Sequence, residues 1–247
     1  MSQPKTVRLD VYLVEHGLFP TRARARAAID AGLVRIAGAI ARKPSASVAE
    51  GAEIAVEGDV HDYVSRSALK LEAGFDAFAV DPAGAICLDL GASTGGFTEI
   101  LIRRGAVKVY AVDVGTGQLH PRIAGDAHVV NLEKTHAKDL SRALIPDPVD
   151  LLVCDVSFIS LRKSLPPALA LCAEKAVVVA LIKPQFELGP EKIGKGGIVK
   201  ADEAEIAQLL EDMKAWFESL GWRVLGVLPS PIKGGDGNQE YLLGAAR

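Results

Sequence analysis

Leu88-Asp89-Leu90-Gly91-Ala92-Ser93-Thr94-Gly95-Gly96-Phe97-Thr98, followed by Val109-Tyr110-Ala111-Val112-Asp113-Val114-Gly115, decides the fold class. An apolar run, Ala85 to Leu90, ends in glycines and small hydroxyl residues ahead of an amphipathic segment, and the next apolar run ends in a lone acid, Asp113. That order describes a strand, a tight turn, a helix, a second strand and a carboxylate. Glycines in such a turn let backbone N–H groups approach a nucleoside cofactor, and the acid is placed to bind ribose hydroxyls. Merely structural turning is the competing role for the same glycines.

Working outward, residues 62 to 247 alternate between strand and helix patterns. A helix carrying Leu69, Leu71 and Phe75 precedes the first strand, and further strands are predicted at 107–112, 128–130, 151–154 and 176–182. Helices are predicted at 97–104, 138–144, 161–172 and 203–220. The last two strands, 222–228 and 241–244, are joined by a Gly-rich loop instead of a helix, which implies an antiparallel hairpin closing a mostly parallel sheet. An α/β fold of the Rossmann-like class I methyltransferase type is therefore expected, rather than a simple dinucleotide-binding fold.

The turn itself separates the cofactor classes. Gly91, Gly95 and Gly96 lack G-x-G-x-x-G spacing and no Gly-Lys-Ser/Thr follows, which weighs against a nicotinamide dinucleotide and a nucleoside triphosphate. S-adenosylmethionine has no phosphate, and its sulfonium and amino-acid tail favour small residues flanked by carboxylates, here Asp89, Asp113 and Asp155. Asp155 follows Leu151-Leu152-Val153-Cys154, and Lys183 follows the apolar run ending at Ile182. Both fall where ligands gather in open α/β sheets, at the carboxyl ends of strands. A neutral amine there can accept a ribose hydroxyl proton. Lys70 and Glu240 are further candidates, although a lysine near a domain link and a glutamate opening a strand are commonly just solvated.

Composition sets the boundaries around this reading. The 247 residues have a net charge of −3 and an ordinary apolar content, with room for one large domain or a large and a small one. The three cysteines form neither a CxxC pair nor a Cys/His cluster, so no disulfide framework or zinc site is expected and a cytoplasmic location is. The longest apolar run, 176–182, is strand-sized, which argues against a membrane span. Residues 1–43 hold eight Lys or Arg against three acids, an asymmetry that points to a polyanion.

That basic end reads as a module of its own. Leu9, Tyr12, Leu13 and Leu18 mark one helix, Thr21 caps a second that stops at Gly32, and short strands follow at 34–36 and 53–56. Arg8-Leu9-Asp10, Gly17-Leu18, Thr21-Arg22, Ala25, Ala28, Ile29, Gly32, Val34, Gly38 and Lys43-Pro44 resemble the small RNA-binding module named after ribosomal protein S-four, with Thr21 where that family often has serine. The resemblance implies that Arg8, Arg22, Arg26, Arg42 and Lys43, with Arg66 beyond the module, meet RNA phosphates. A helical cap or a dimerisation domain is the alternative. Three segments result: 1–60, a linker at 61–67, and 68–247.

In order along the chain, Lys70, Asp155, Lys183 and Glu240 resemble the Lys-Asp-Lys-Glu tetrad of ribose 2′-O-methyltransferases of the FtsJ type. The whole chain, from about residue 6 to 245, is similar to the TlyA family of bacterial ribosomal-RNA methyltransferases, historically labelled hemolysin A. Tyr63-Val64-Ser65-Arg66, the segment from Asp89 to Thr98, Gln118-Leu119, Asp155-Val156-Ser157-Phe158-Ile159-Ser160, Lys183-Pro184-Gln185-Phe186-Glu187 and Gly194-Lys195-Gly196-Gly197 carry the likeness. Ser67 replaces the family's usual glycine, and Glu133-Lys134-Thr135-His136-Ala137-Lys138 departs from its Glu-Arg-Thr-Asn-Ala-Arg run. The resemblance implies S-adenosylmethionine held by Asp89, Gly91, Ala92, Ser93, Thr94, Gly95, Gly96, Phe97, Asp113, Val114 and Asp155, with Asn131 and Leu132 flanking the adenine. It further implies no metal, ribosomal RNA or a ribosomal subunit as partner, and a cytidine 2′-hydroxyl as acceptor. A non-catalytic RNA-binding protein and a membrane-active hemolysin are the rival functions.

Overall fold

The computed structural model describes residues 6–19, 21–56 and 63–247. The chain divides into two compact units, Met1–Asp62 and Tyr63–Arg247. Lys5 and residues 61 and 62 of the expected linker lie outside the described residues.

In the smaller unit, β1 (Thr6–Arg8) leads into α1 (Leu9–Glu15), followed by α2 (Arg22–Asp30), β2 (Val34–Ile36), β3 (Ala39–Ile40), β4 (Ser47–Ala49) and β5 (Ile54–Val56). Thr21 caps α2 as expected, its hydroxyl oxygen accepting the Arg24 N–H at 3.3 Å. Leu9 and Leu13 of α1 pack against Ala25, Ala28 and Ile29 of α2, the i, i+3, i+4 stripes of two helices facing one core with Val34 and Val48. Two strands were expected and five are present among the described residues. β2 pairs with both β3 and β5, while β1 pairs with β4. The extra strands are two or three residues long, too short to carry an alternation of their own.

The larger unit comprises α3 (Ala68–Phe78), β6 (Ile86–Leu90), α4 (Gly96–Arg103), β7 (Lys108–Val112), α5 (Pro121–Ala124), β8 (Val129–Leu132), β9 (Val149–Cys154), α6 (Leu161–Leu169), β10 (Cys172–Ile182), α7 (Pro184–Glu187), α8 (Glu203–Ser219), β11 (Arg223–Pro229) and β12 (Tyr241–Ala246). The sheet order is β11-β12-β10-β9-β6-β7-β8, with β12 antiparallel to both neighbours and the other pairings parallel. The closing hairpin thus inserts β12 between β10 and β11. Odd and even strand positions serve two cores: Leu88, Leu152 and Val178 face α6 and α8, and Cys87, Leu151 and Val179 face α3 and α4. Residues 178–182 are buried without a break because both sheet faces are covered.

One expected helix does not form. Over 138–144 there is only a single 3-10 turn, Ala137–Asp139. Leu140 and Ile145 are the buried anchors there, five residues apart and off any one helix face, and Pro146 pushes Ile145 toward an extended backbone. Fully buried Phe217 of α8 tests the core: Phe217→Ala is expected to destabilise the larger unit by about 3–5 kcal/mol, read as a lower urea midpoint for the fluorescence of buried Trp222.

Candidate active site

The turn after β6 is set by close backbone packing. Gly91 has φ +88°, and its N–H and that of Ala92 donate to the Val112 carbonyl at 2.9 and 3.0 Å. A Cβ at Gly91 would stand 2.8 Å from the Asp155 carbonyl oxygen, so only glycine lets the turn lie against the end of β9. Ser93 N–H donates to Asp113 Oδ2 at 2.8 Å, and Gly115 N–H to Asp113 Oδ1 at 2.7 Å. The Asp113 carboxylate is thereby fixed at the end of β7.

Asp89 lies deeper, wholly buried, with Oδ2 accepting the Thr98 hydroxyl at 2.6 Å and Oδ1 without a hydrogen-bond partner. Burial pushes its carboxyl up to about 7, opposed by the Thr98 hydrogen bond and reinforced by the charges of Asp155 and Asp113.

A cavity of about 360 Å³ opens over the carboxyl ends of β6, β7 and β9. Gly91 and Ser93 form one wall, Asp113, Val114 and Gln118 a second, and residues 135–137 and 156–159 the remainder. A second cavity, about 210 Å³, shares Gly91, Ser93, Asp155 and Ser157 with it and reaches Ser65, Ala92, Thr94, Phe97 and Lys183. Gly95 and Gly96 line neither. They serve the turn: a Cβ on Gly96 would fall 2.2 Å from Ser67 Oγ, and one on Gly95 2.8 Å from Leu119 Cδ1. Asn131 is exposed and Leu132 packs against the core, and neither lines these two cavities; Thr135, His136 and Ala137 line the larger one.

The four tetrad candidates meet in two ion pairs. Pro184 cannot continue a strand ladder, so β10 stops and leaves Lys183 at the sheet edge. Its ammonium lies 2.6 Å from Asp155 Oδ1, off the line of a hydrogen bond, and donates to Ser157 Oγ at 2.9 Å. The pairing Ile182↔Tyr241 puts Glu240 beside Lys183, one step past the last partners of β10 and β12. Glu240 Oε2 accepts from the Lys70 ammonium at 2.5 Å. Lys70 reaches that edge because α3 lies close on the sheet, where a Cβ on Gly74, one turn later, would meet Val179 and Leu242. Lys70, Lys183 and Glu240 are each less than a tenth exposed.

Several site residues carried no individual sequence expectation: Ser65, Ser67, Thr135, His136, Ser157 and Phe158. Phe158 is the most informative. Its ring is 89% exposed at the cavity, backed by Phe186 at 5.2 Å, and its backbone sits at φ +65°, an outlier for a bulky residue. An aromatic three residues past a strand-end acid, outside any apolar period, was the available signal. The cysteines are removed from the chemistry, since burial pushes the Cys87 and Cys154 thiols up to about 12 and Cys172 to about 11.

On the smaller unit, the structure gathers three expected RNA contacts on one carboxylate. Asp10 Oδ1 accepts Arg8 Nε at 3.0 Å, and Oδ2 accepts Arg22 Nη2 at 2.9 Å and Arg26 Nε at 3.0 Å. Hydrogen bonding from Arg8, then from Arg22 and Arg26, holds the Asp10 carboxyl well below the usual range against the opposing effect of burial. Arg42 and Lys43 are exposed on the loop whose Pro44 carbonyl accepts the Asp10 N–H, and Arg66, in the larger unit, is exposed before α3.

Comparison with known proteins accords with this geometry. The FtsJ-like methyltransferase family matches residues 63–247, and the S4 domain family matches residues 7–54. A Mycobacterium tuberculosis protein named 16S/23S rRNA (cytidine-2′-O)-methyltransferase TlyA is 43% identical over 97% of this chain and 89% of its own length. Hemolysin A of Brachyspira hyodysenteriae is 38% identical over 96% of this chain and 98% of its own. A solved structure of a candidate hemolysin from Streptococcus thermophilus, 38% identical, superposes with a TM-score of 0.76 over 100% of this chain and 90% of that one. Among the described residues no helix is long and apolar enough to cross a membrane. With both units and nearly the full length matched, the chain belongs to the FtsJ-like methyltransferases, within the TlyA family of ribosomal-RNA 2′-O-methyltransferases.

Proposed function

We propose that this enzyme transfers a methyl group from S-adenosylmethionine to the 2′-hydroxyl of a cytidine in ribosomal RNA, and that it works in the cytoplasm. The observation that carries the reading is the pair of ion pairs, Lys183 with Asp155 and Lys70 with Glu240, brought side by side by the Ile182↔Tyr241 register, with Lys183 and Asp155 lining the smaller cavity.

The chain's residues fit the cofactor. The orphaned Oδ1 of Asp89 is a buried acceptor awaiting a donor or cation, Asp113 stands at the strand end where ribose hydroxyls bind, and Val114 and Val156 give apolar walls for a purine. Gly91, Ala92, Ser93, Thr94 and Phe97 form the cradle between them. When bound, the cofactor supplies an electrophilic methyl group on a sulfonium.

The remaining work falls to the protein. Asp155 and Ser157 orient the Lys183 Nζ, whose lone pair in the neutral amine form takes the proton of an incoming 2′-hydroxyl as its oxygen bonds the methyl group; the ammonium so formed is held by the Asp155 carboxylate. Glu240 holds Lys70 beside it, available to the adjacent phosphate. The exposed ring of Phe158 offers a face on which the target base stacks, and left-handed strain at such a residue is typical of binding sites. Arg8, Arg22, Arg26, Arg42 and Lys43, with Arg66, meet phosphates and position the RNA without reading its sequence.

Lys183→Ala is expected to lower methyl transfer to ribosomal RNA by on the order of 100-fold or more while calorimetry finds cofactor affinity within a few-fold of normal. Near-normal turnover on the correct RNA would end the proton-transfer role. Mapping 2′-O-methyl sites in ribosomal RNA from cells with and without the protein tests the acceptor. Phe158→Ala should weaken use of RNA by about tenfold, the scale of one lost stacking contact, and change cofactor affinity by less than that.

Asp89 makes the ligand-free protein pH-sensitive. Its folded value of about 7 lies above the ordinary aspartate value of 3.8, so the folded chain keeps a proton that the unfolded chain has released between about pH 4 and pH 7. Stability from this group therefore declines as pH rises through that window. In thermal melts, wild type should lose ground relative to Asp89→Asn from pH 4 to pH 7, and parallel curves for the two proteins would exclude the raised value.

A further inference from the structure

We infer that Asp10 is a positioning residue for RNA binding: it holds the Arg8, Arg22 and Arg26 guanidinium groups in a fixed array that receives the phosphodiester backbone of folded RNA. The inference deepens the proposed RNA contact of the smaller unit and rests on that reading.

Its basis is an asymmetry of burial around one carboxylate. The Asp10 side chain is 0% exposed, whereas those of Arg8, Arg22 and Arg26 are 48%, 51% and 51% exposed. Four N–H bonds reach Asp10: Arg8 Nε at 3.0 Å, Arg8 Nη2 at 3.2 Å, Arg22 Nη2 at 2.9 Å and Arg26 Nε at 3.0 Å. Each guanidinium carries about five N–H donors, so most of every fork remains directed at solvent or a ligand. Three cations against one anion leave a net positive patch whose inner edges are fixed and whose outer edges are accessible.

The chain places these groups from three elements. Arg8 ends β1, Asp10 opens α1, and Arg22 and Arg26 sit one turn apart on α2. Backbone bonds from Leu9 N–H to the Ala46 carbonyl and from Asp10 N–H to the Pro44 carbonyl bring the loop bearing Arg42 and Lys43 to the same end of α1. Long flexible cations normally lose rotamer freedom when they engage a phosphate, and that ordering cost opposes binding. Here Asp10 has already imposed it during folding. Planar guanidinium forks gain most from such fixing, because their donors match phosphate oxygens in pairs.

The sign of the consequence separates positioning from bulk charge. Asp10→Asn makes the protein more positive by one unit, so simple electrostatics predicts tighter RNA binding. Loss of positioning predicts the reverse. The experiment measures binding of the full chain to a folded fragment of large-subunit ribosomal RNA over a series of salt concentrations. Asp10→Asn is expected to weaken binding by on the order of tenfold with the slope of log affinity against log salt unchanged, because the same phosphates are met by less ordered arginines. In an Arg8→Gln, Arg22→Gln, Arg26→Gln background the same change should have no effect.

Unchanged or tighter binding by Asp10→Asn, a reduced salt slope, or a loss that persists in the triple background would each overturn the inference. Should Asp10→Asn unfold the smaller unit, the Arg22→Lys, Arg26→Lys variant answers instead. It keeps every charge but replaces the two α2 guanidinium groups that Asp10 Oδ2 holds, so it should show the same salt-independent loss, and full affinity would overturn the inference. Failure of the wild-type chain to bind the RNA would defeat the RNA reading itself, a result distinct from any difference between variants.

Discussion

The larger unit turns on one close approach, that of the turn at Gly91 to the backbone of Asp155. Because no side chain intervenes, the end of β6 and the end of β9 share one edge, and the Val112 carbonyl ties the turn to β7 as well. Three strand ends are thereby locked into a single rim. The cavity, the fixed carboxylate of Asp113 and the stance of Asp155 beside Lys183 all inherit their geometry from that rim.

Around the rim the protein accepts poor stabilisers. Two largely buried lysine–carboxylate pairs, a fully buried Asp89 and a left-handed Phe158 are all features that well-packed apolar residues would improve on for stability alone. The two cores above and below the sheet carry the stability instead, with α6 and α8 on one face and α3 and α4 on the other. The smaller unit repeats the pattern, spending a buried position next to its helix–helix core on Asp10 so that three arginines are held in order.

Much of this was legible in the sequence because it rests on local physics. Apolar runs bounded by glycine, proline or a lone acid marked the strands to within a few residues, and the missing helix between the last two predicted the antiparallel hairpin. Where the local signal was weak, expectation failed: residues 138–144 form only one turn of 3-10 helix, and strands of two or three residues in the smaller unit have too few positions to alternate. Gly95 and Gly96 were legible as a turn but not as packing glycines, since the atoms they admit, Leu119 and Ser67, are distant in the chain.

By itself, then, the sequence determined most of the order of elements and the cofactor-type turn, because these follow from residue type and near-neighbour spacing, while the four tetrad candidates were named by their likeness to the FtsJ-type methyltransferases. Only the tertiary structure decided how those residues combine: Lys183 with Asp155 and Ser157, Lys70 with Glu240, residues 135–137 on the wall of the larger cavity, and Arg8, Arg22 and Arg26 on Asp10. The tetrad pairings join positions 28 and 170 residues apart, and the Asp10 cluster joins three different elements. Such partnerships are set by strand register and by the approach of helices to one another and to the sheet, which no short-range pattern encodes.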